Sequence, residues 1–547
     1  MTQPSRSSLF SRLLVARGLS NDEMKEFLNP KYENCHDPFL LPDMQLATDR
    51  IAEALQKQEH ITIYGDYDVD GIAATAILHD ALKSFGFKYV NYLLPERLVD
   101  GYGISMSSVK KIKSQKPSLV ITVDCGSSST EEITALQNSK IDVIVTDHHE
   151  LGANFPPAVA VINQKRSDSK YPFAKLSGAG IAFKLVQALQ TKLPNLPVGQ
   201  EKWFLDLVAL GTVCDCMELT GENRILVHYG LKVLAKTRRL GLRALVEVAK
   251  VDPNNISART LGFQLGPRLN AAGRVDSALA ALELLLCDTK SDAFASATTL
   301  NQLNLERRRM QNAALSTITD TDLSGPVLFV RGDEWHEGII GIIAGRLVDT
   351  HHKPAFVFTK SGDFLKGSAR SFGNLSLSEA IHSCPDGLVI KGGGHSEAAG
   401  VTVDPDNYND FKQHITSYFT KHHSSDSEKF FVIKEDIIAD SISELTVDFY
   451  NELQQLAPFG QGNPEPIFKL QNVHVRYVDR IGSQHQHLKI TAGDPSGSMM
   501  KLLAFNSPES WVVSSESYVD LWFNLELNDW NGTSSVEGRI LRIECCG

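Results

Sequence analysis

Long apolar runs are missing from this chain: in 547 residues none approaches the roughly 20 consecutive apolar residues of a membrane-spanning helix, so no membrane role is expected. Cysteine is sparse, with eight in the sequence and no secretory signal, which argues for a reducing cytoplasm rather than a disulfide framework. Internal repeats and low-complexity tracts are also absent. There is no excess of positive charge, since 54 Lys and Arg against 65 Asp and Glu leave a formal net charge of -11. That balance disfavours a uniformly basic nucleic-acid binder, but not a local basic track beside an acidic site. Glycine and proline are lacking from Ala278 to Ile318, where leucines recur at helical spacing, so a long connecting helix is expected. What remains is ordinary for a soluble globular protein, 42% hydrophobic and 22% charged, and at roughly 150 residues per domain it predicts three to four domains. Near the start, Arg6, Arg12 and Arg17 among serines faintly resemble a mitochondrial transit peptide. Leu9, Leu13 and Leu14 fit a packed helix better, and Asn21 is expected to cap a second helix ending before Pro30.

Acids and histidines gather where apolar strands are expected to end: Asp66-Tyr67-Asp68-Val69-Asp70-Gly71, Asp124, Asp147-His148-His149 and Asp215. His60 to Tyr64 alternates as a strand should, Gly65 breaks it, and Gly71 to Leu78 opens a helix. Leu119 to Val123 and Ile141 to Val145 repeat the arrangement of strand, then polar residue. In an open parallel sheet, residues at these strand ends converge on one crevice. A lone Asp after a strand is usually a cap or a turn, and Asp124 alone reads that way. Three aspartates in five residues repel one another unless a cation neutralises them, and capping needs only one. Carboxylates with one or two imidazoles suit Mn²⁺ or Mg²⁺ better than tetrahedral zinc, and so many carboxylates imply two ions.

Tyr64 to Gly71 (YGDYDVDG), Val123 to Gly126 (VDCG), Thr146 to Glu150 (TDHHE) and Leu210 to Asp215 (LGTVCD) resemble the four ordered motifs of the DHH phosphoesterase superfamily. Five later segments narrow the resemblance to RecJ-type exonucleases: Gly266 to Arg274, Trp335 to Gly341, Gly367 to Ser371, Gly392 to Gly400 and Pro458 to Pro464. That family degrades single-stranded DNA from 5′ to 3′, and the similarity runs from about Leu13 to the C-terminus. Smaller members, such as pyrophosphatases and nanoRNA or cyclic-dinucleotide phosphodiesterases, lack the last segment. One departure is that Cys214 and Cys216 flank the fourth Asp, where the family has small apolar residues. A soft-metal Cys-x-Cys is one reading and buried small thiols another.

The resemblance implies that Asp68 and Asp124 hold one ion, and that Asp70, Asp124, His148 and Asp215 hold the other, with Asp124 bridging. Two such ions, Mn²⁺ or Mg²⁺, would clamp the attacking and leaving oxygens of an in-line phosphoryl displacement. Adjacent side chains of an extended segment point opposite ways, so His148 is expected at the metals and His149 at the leaving or phosphoryl oxygen as acid or donor. Asp66 and Asp147 are expected in supporting roles. Arg370 and His395 would assist catalysis, with His395 donating to the scissile phosphoryl group from the glycine-rich Gly392 to His395 loop. Arg97, Asn270, Arg274, Ser368 and Arg370 match substrate-binding positions, the arginines and Ser368 at the 5′-terminal phosphate.

The expected fold class is α/β: N-terminal helices in 1–36, a doubly wound parallel-sheet DHH domain in 37–276, a connecting helix in 277–320, a DHH-associated α/β domain in 321–420 and an OB-like β-barrel in 430–547. Strands are expected at Val327 to Val330 and Ala355 to Phe358, and in the barrel at Val473 to Tyr477, Leu488 to Thr491, Leu521 to Leu527 and Val536 to Ile543. Lys421 to Ser427 reads as a polar linker. Phe505, Trp511, Trp522 and Trp530 could stack bases or fill the barrel core. Arg259, Arg268 and Arg274 form one basic track, and Arg307-Arg308-Arg309 reads equally as a solvated helix face or a DNA contact. The expected partner is single-stranded DNA. The resemblance adds a single-strand DNA-binding protein and a RecQ-type helicase, and a monomer suffices. The alternatives are a small-substrate phosphodiesterase and a non-catalytic scaffold; the β-rich C-terminus disfavours the first and the intact carboxylates the second.

Overall fold

Ile61–Tyr64 is a fully buried apolar run followed by a glycine, and in a computed structural model of the chain it forms the first strand, β1, of a five-stranded sheet. The structure describes residues 8–18, 21–97, 100–152, 155–319, 323–373, 375–422, 433–508, 511–530 and 532–546, without the side chains of Asn21, Asp22 and Trp530. Val90–Leu93 (β2), Leu119–Val123 (β3), Asp142–Thr146 (β4) and Ala160–Ile162 (β5) complete the sheet in the order β2-β1-β3-β4-β5, every pairing parallel. This is the expected doubly wound architecture. Strand order reverses between β1 and β3, which opens a crevice at their carboxyl ends.

The helix Val69–Phe85 follows β1; Asp68 caps it and Gly86, at φ 104, ends it. It packs with the helix Gly178–Gln190. Met106–Ser114 and Thr130–Gln137 place Val109, Ile112, Ile133 and Leu136 in a core with Tyr64, Val120, Val143 and Val145.

The DHH-associated lobe is built on a mixed sheet of Leu328–Arg331 (β6), Ala355–Ser361 (β7), Phe364–Arg370 (β8), Lys391–Gly394 (β9) and Ala398–Val403 (β10), in the order β6-β7-β8-β10-β9. Phe329, Phe356, Phe358 and Phe411 pack its centre. The stretch from Ala278 to Ile318 is two helices rather than one, Leu279–Leu286 and Lys290–Leu315. Thr289 starts the second by accepting a hydrogen bond from the Asp292 amide, so a cap rather than a glycine or proline makes the break.

Both lobes belong to one compact unit, Asp37–Asp215 with Gly230–Phe431. The other unit joins Met1–His36, Cys216–Tyr229 and Val432–Gly547. Its sheet comprises Ile437–Ile438 (β11), Phe468–Ile481 (β12), His487–Gly493 (β13), Met499–Ala504 (β14), Tyr518–Trp530 (β15) and Thr533–Cys545 (β16). Pairing of β12 with β15 closes five of these strands into a barrel, with β11 added at β12. The helix Leu9–Ala16 seats Leu9, Leu13 and Leu14 in this unit's core, as expected of a packed helix. Asn21 begins the helix Asn21–Leu28, but its side chain, like Arg6, lies outside the described residues. Strand β14 has no counterpart among the expected strands.

Cys216–Tyr229, inside the 37–276 stretch, groups with the barrel unit. Buried Arg224 explains the grouping, because its guanidinium donates to the carbonyls of Phe27, Leu456 and Gln455 and stacks on the Phe27 ring at 3.8 Å. Of the expected linker, Lys421 and His422 end the helix Tyr408–His422, and residues 423–427 lie outside the described residues. Among the described residues no helix is long and apolar enough to cross a membrane.

Candidate metal centre

Asp124 follows β3 directly, with φ 63, a left-handed conformation that turns its side chain into the crevice beyond β1 and β3. Its Oδ1 lies 3.0 Å from Nε2 of His148, which follows β4. That same Nε2 lies 3.6 Å from Asp215 Oδ2 and 3.9 Å from Asp70 Oδ2. Three of the four side chains expected around one ion therefore converge on one nitrogen of the fourth, His148. Asp66, Asp68 and Asp124 form a second group with donor atoms within 4.8 Å of one another.

Local backbone chemistry holds this arrangement. Asp68 Oδ1 accepts from the amides of Asp70 and Gly71 and so caps the helix while leaving Oδ2 out of the cap. Asp70 accepts from the amides of Gly178 at 2.6 Å and Ala179 at 3.0 Å, at the start of the helix Gly178–Gln190, where the helix dipole favours a carboxylate. Gly211 is needed because a Cβ there would lie 2.3 Å from Asp70 Oδ1. Asp147 accepts from the amides of Ser127, His148 and His149 and from Nδ1 of His149, which lies 2.9 Å away.

Two expectations are corrected here. Asp215 does not end a strand: Leu205–Cys214 is a helix and Asp215 is its C-cap, so the fourth motif reaches the crevice from a helix end. His148 and His149 do not point opposite ways. Asp147 gathers both their amides, the segment bends instead of extending, and His149 Nδ1 comes within 4.0 Å of Asp124 Oδ1. His149 also contacts the Tyr102 hydroxyl at 2.7 Å, a neighbour that no motif singled out.

The electrostatics are those of crowded carboxylates. Burial and then Asp68 push Asp70 up to about 7, while burial and then Asp70 and Asp68 push Asp215 up to about 9. Asp124 is raised well above the usual range by burial and by Asp70, Asp68 and Asp215, and Asp66 by burial and Asp68. His148 is driven down to about 3 by burial and by His149, so it is a neutral donor at ordinary pH. Burial works against ionised Asp147, but the His149 hydrogen bond and charge outweigh it and hold the carboxyl at about 2. The same pairing raises His149 against the pull of burial.

These residues fit divalent cations. Asp66 Oδ1, Asp124 Oδ1 and His148 Nε2 are buried and make no hydrogen bond, and buried polar atoms without partners are rare unless an ion or water serves them. The donor set, oxygen-rich with imidazole, matches Mn²⁺ or Mg²⁺. Cys214 packs against the Leu261 to Gly266 segment and Cys216 is exposed, so the two thiols are not both buried fillers.

The expected phosphate-binding residues form a cationic cluster in the same unit. Arg274 is half-buried, and desolvation followed by the charges of Arg97, Arg307 and Arg370 pulls it down to about 9. Arg97 lies over the Tyr67 ring at 5.1 Å. A Cβ on Gly341 would lie 2.9 Å from Ser368 Oγ and 3.5 Å from Arg370 Nη2, so the helix Glu337–His351 approaches these two side chains through a glycine. Asn270 lies half-buried on Gly266–Val275, the helix that carries Arg274. His395 is exposed on the turn after β9, and among the described residues no hydrogen bond or ion pair joins it to the aspartates. In the barrel, Trp522 is buried between Lys469 and Arg542 and Trp511 packs against the core, whereas Phe505 is exposed; the Trp530 side chain lies outside the described residues.

Known proteins match this arrangement along the chain. The DHH family N-terminal domain matches residues 60–212, the DHHA1 domain 324–421 and the RecJ OB domain 439–542. A single-stranded-DNA-specific exonuclease RecJ of Dickeya dadantii is 35% identical over 97% of this chain and 95% of its own length. The Bacillus subtilis RecJ is 34% identical over 96% of this chain, which spans 66% of that longer relative. The crystal structure of RecJ from Thermus thermophilus in complex with Mn²⁺ superposes with a TM-score of 0.82 at 29% identity, covering 98% of this chain and 75% of that one. The chain belongs to the RecJ family of DHH phosphoesterases.

Proposed function

We propose that this protein is a metal-dependent hydrolase that degrades single-stranded DNA from its 5′ end to 5′-mononucleotides, in DNA recombination and repair. One observation carries the reading: Asp70, Asp124 and Asp215 surround a single partnerless nitrogen of His148, while Arg97, Arg274 and Arg370 stand together in the same unit. RecJ relatives are named single-stranded-DNA-specific exonucleases, and solved RecJ structures hold Mn²⁺ or Mg²⁺.

Asp68, Asp70, Asp124, His148 and Asp215 would hold the two ions, with Asp66 close enough to share in the first group. When bound, Mn²⁺ or Mg²⁺ would neutralise the charge that develops on the scissile phosphate and activate water for in-line attack. The chain's own groups supply the rest. Asp147 favours the protonated form of His149 and orients its ring, so His149 can give a proton to the leaving oxygen. His395 supplies a donor to the scissile phosphoryl oxygens from the glycine-rich turn. Arg97, Arg274, Ser368 and Arg370 grip the terminal 5′-phosphate, which makes the enzyme an exonuclease rather than an endonuclease, and Asn270 lines the approach. The barrel adds a single-strand track on which Phe505 offers an exposed ring.

Eight cysteines spread along the chain, without a secretory signal, agree with a reducing cytoplasm. The reading extends to action as a monomer, supplied with single strands by a RecQ-type helicase and a single-strand DNA-binding protein. The test is Mn²⁺-dependent digestion of a single-stranded DNA with separately labelled ends, beside a matched RNA and a blunt duplex. Mononucleotides released first from the 5′ end of the single-stranded DNA support the proposal. Cleavage of RNA or dinucleotides alone, or binding without cleavage, overturns it.

A further inference from the structure

The basic run Arg307-Arg308-Arg309 lies within the helix Lys290–Leu315, and the structure separates its three members. The inward face of this helix repeats at intervals of four and three residues, through Ala293, Ala297, Leu300, Asn304, Arg307, Gln311 and Ala314. Ala293, Ala297 and Leu300 are apolar and buried, and at the other end Ala314, with neighbouring Met310, packs into the core of the DHH-associated lobe. Between these two stretches the seam turns polar, at Asn304 and Arg307. Arg308 and Arg309 point to solvent, whereas Arg307 is half-buried.

A polar interruption of an otherwise apolar seam costs stability unless something meets it. Arg307 Nε is buried without a hydrogen-bond partner, and one turn earlier Asn304 Oδ1 is too. The helix packs on Gly266–Val275, which carries Arg274, and on Glu337–His351, whose Gly341 approaches Ser368 and Arg370. The charge of Arg307 reaches Arg274, since it stands with Arg97 and Arg370 among the cations that depress it. Among the described residues no carboxylate forms an ion pair with Arg97, Arg274, Arg307 or Arg370. Within this cluster Arg97, Arg307 and Arg370 all oppose the charge of Arg274, Asp66 reaches only Arg97, and a phosphate dianion relieves the remaining repulsion.

We propose that Arg307 is a fourth cation of the terminal-phosphate pocket and helps set the preference for 5′-phosphorylated ends; this rests on the exonuclease reading above. A packing role alone would need only the aliphatic stem of the side chain and would leave the choice of end unaffected.

The experiment compares wild type, Arg307→Gln, Arg307→Lys and Arg308→Ala on one single-stranded oligonucleotide carrying either a 5′-phosphate or a 5′-hydroxyl. KM and kcat are measured with Mn²⁺, equilibrium binding with EDTA, and the thermal midpoint of each variant. Arg307→Gln is expected to raise KM for the phosphorylated strand about 10-fold and leave KM for the hydroxyl strand unchanged. Arg307→Lys should retain most of the preference, and Arg308→Ala all of it. Equal weakening of both strands, or a preference undiminished in Arg307→Gln, would overturn the inference. If wild type cuts no DNA, the exonuclease reading fails by itself, and the binding arm still decides this inference. Phosphate-dependent affinity lost in Arg307→Gln supports it, and affinity indifferent to the phosphate or to the substitution overturns it.

Discussion

Gly178 and Asp124 are so closely opposed that a Cβ on Gly178 would lie 2.5 Å from Asp124 Oδ1, while the Gly178 amide donates to Asp70 at 2.6 Å. One backbone position thus fixes two of the candidate ligands. Gly178→Ala must push Asp124 away, and a displacement of this kind costs about 100-fold in rate. We expect kcat to fall by that order with little change in the circular dichroism spectrum. Wild-type turnover in Gly178→Ala would show that Asp124 need not occupy this position.

Asp124→Asn tests opposite effects on stability and activity. It removes a buried charge that Asp70, Asp68 and Asp215 oppose, so the metal-free variant should unfold at a higher temperature than wild type in EDTA. It should also lose turnover and most of the stabilisation conferred by Mn²⁺. A variant that is both active and less stable without metal would refute the bridging role of Asp124. Paired melts in EDTA and Mn²⁺, with a digestion assay, decide the matter.

The elevated carboxyl groups set a direction for pH dependence. Asp70, at about 7, and Asp215, at about 9, bind protons in the folded state at pH values where the unfolded chain, near 3.8, has released them. Stability is therefore full below the unfolded value and is lost as pH rises through the folded ones. In EDTA, unfolding midpoints should fall from about pH 6 to about pH 9, and saturating Mn²⁺ should offset the fall. A metal-free midpoint that rises across this window would contradict the crowding of charge described here.

Arg224 gives a prediction remote from the cluster. Its guanidinium meets three backbone carbonyls in the barrel unit, and burial, with Arg17 nearby, already lowers it to about 10. Arg224→Ala leaves those carbonyls unpaired and should cost about 3 kcal/mol, read by denaturant unfolding. A change below the error of the method would mean that Cys216–Tyr229 is held by other contacts.

Much of the site could be read from the residues because its ligands are short polar interruptions after apolar strands, a local pattern that survives without knowledge of packing. Asp124 and Asp147 directly follow β3 and β4, Asp66 follows β1 after Gly65, and the parallel sheet brings them together. What escaped depended on tertiary partners. The run from Leu205 to Cys214 is mostly apolar and becomes a helix buried on every side from Leu205 to Thr212, which periodicity cannot separate from a buried strand. The direction of His149 is set by Asp147 bending the backbone, a hydrogen-bond effect invisible to an alternation rule. The grouping of Cys216–Tyr229 with the barrel rests on Arg224 reaching residues some 200 positions away, and no local pattern announces that. The arginines at 307 to 309 carry equal charge, and only the register of the helix seam tells them apart.

The most direct measurement is a Mn²⁺ titration of the metal-free protein followed by electron paramagnetic resonance, for wild type and Asp124→Ala side by side. We expect about two tightly bound ions per wild-type chain and loss of tight binding in Asp124→Ala, whose circular dichroism stays that of the wild type. Absence of tight binding in the wild type, or the same stoichiometry and affinity in both proteins, would contradict the assignment of this cluster as the metal centre.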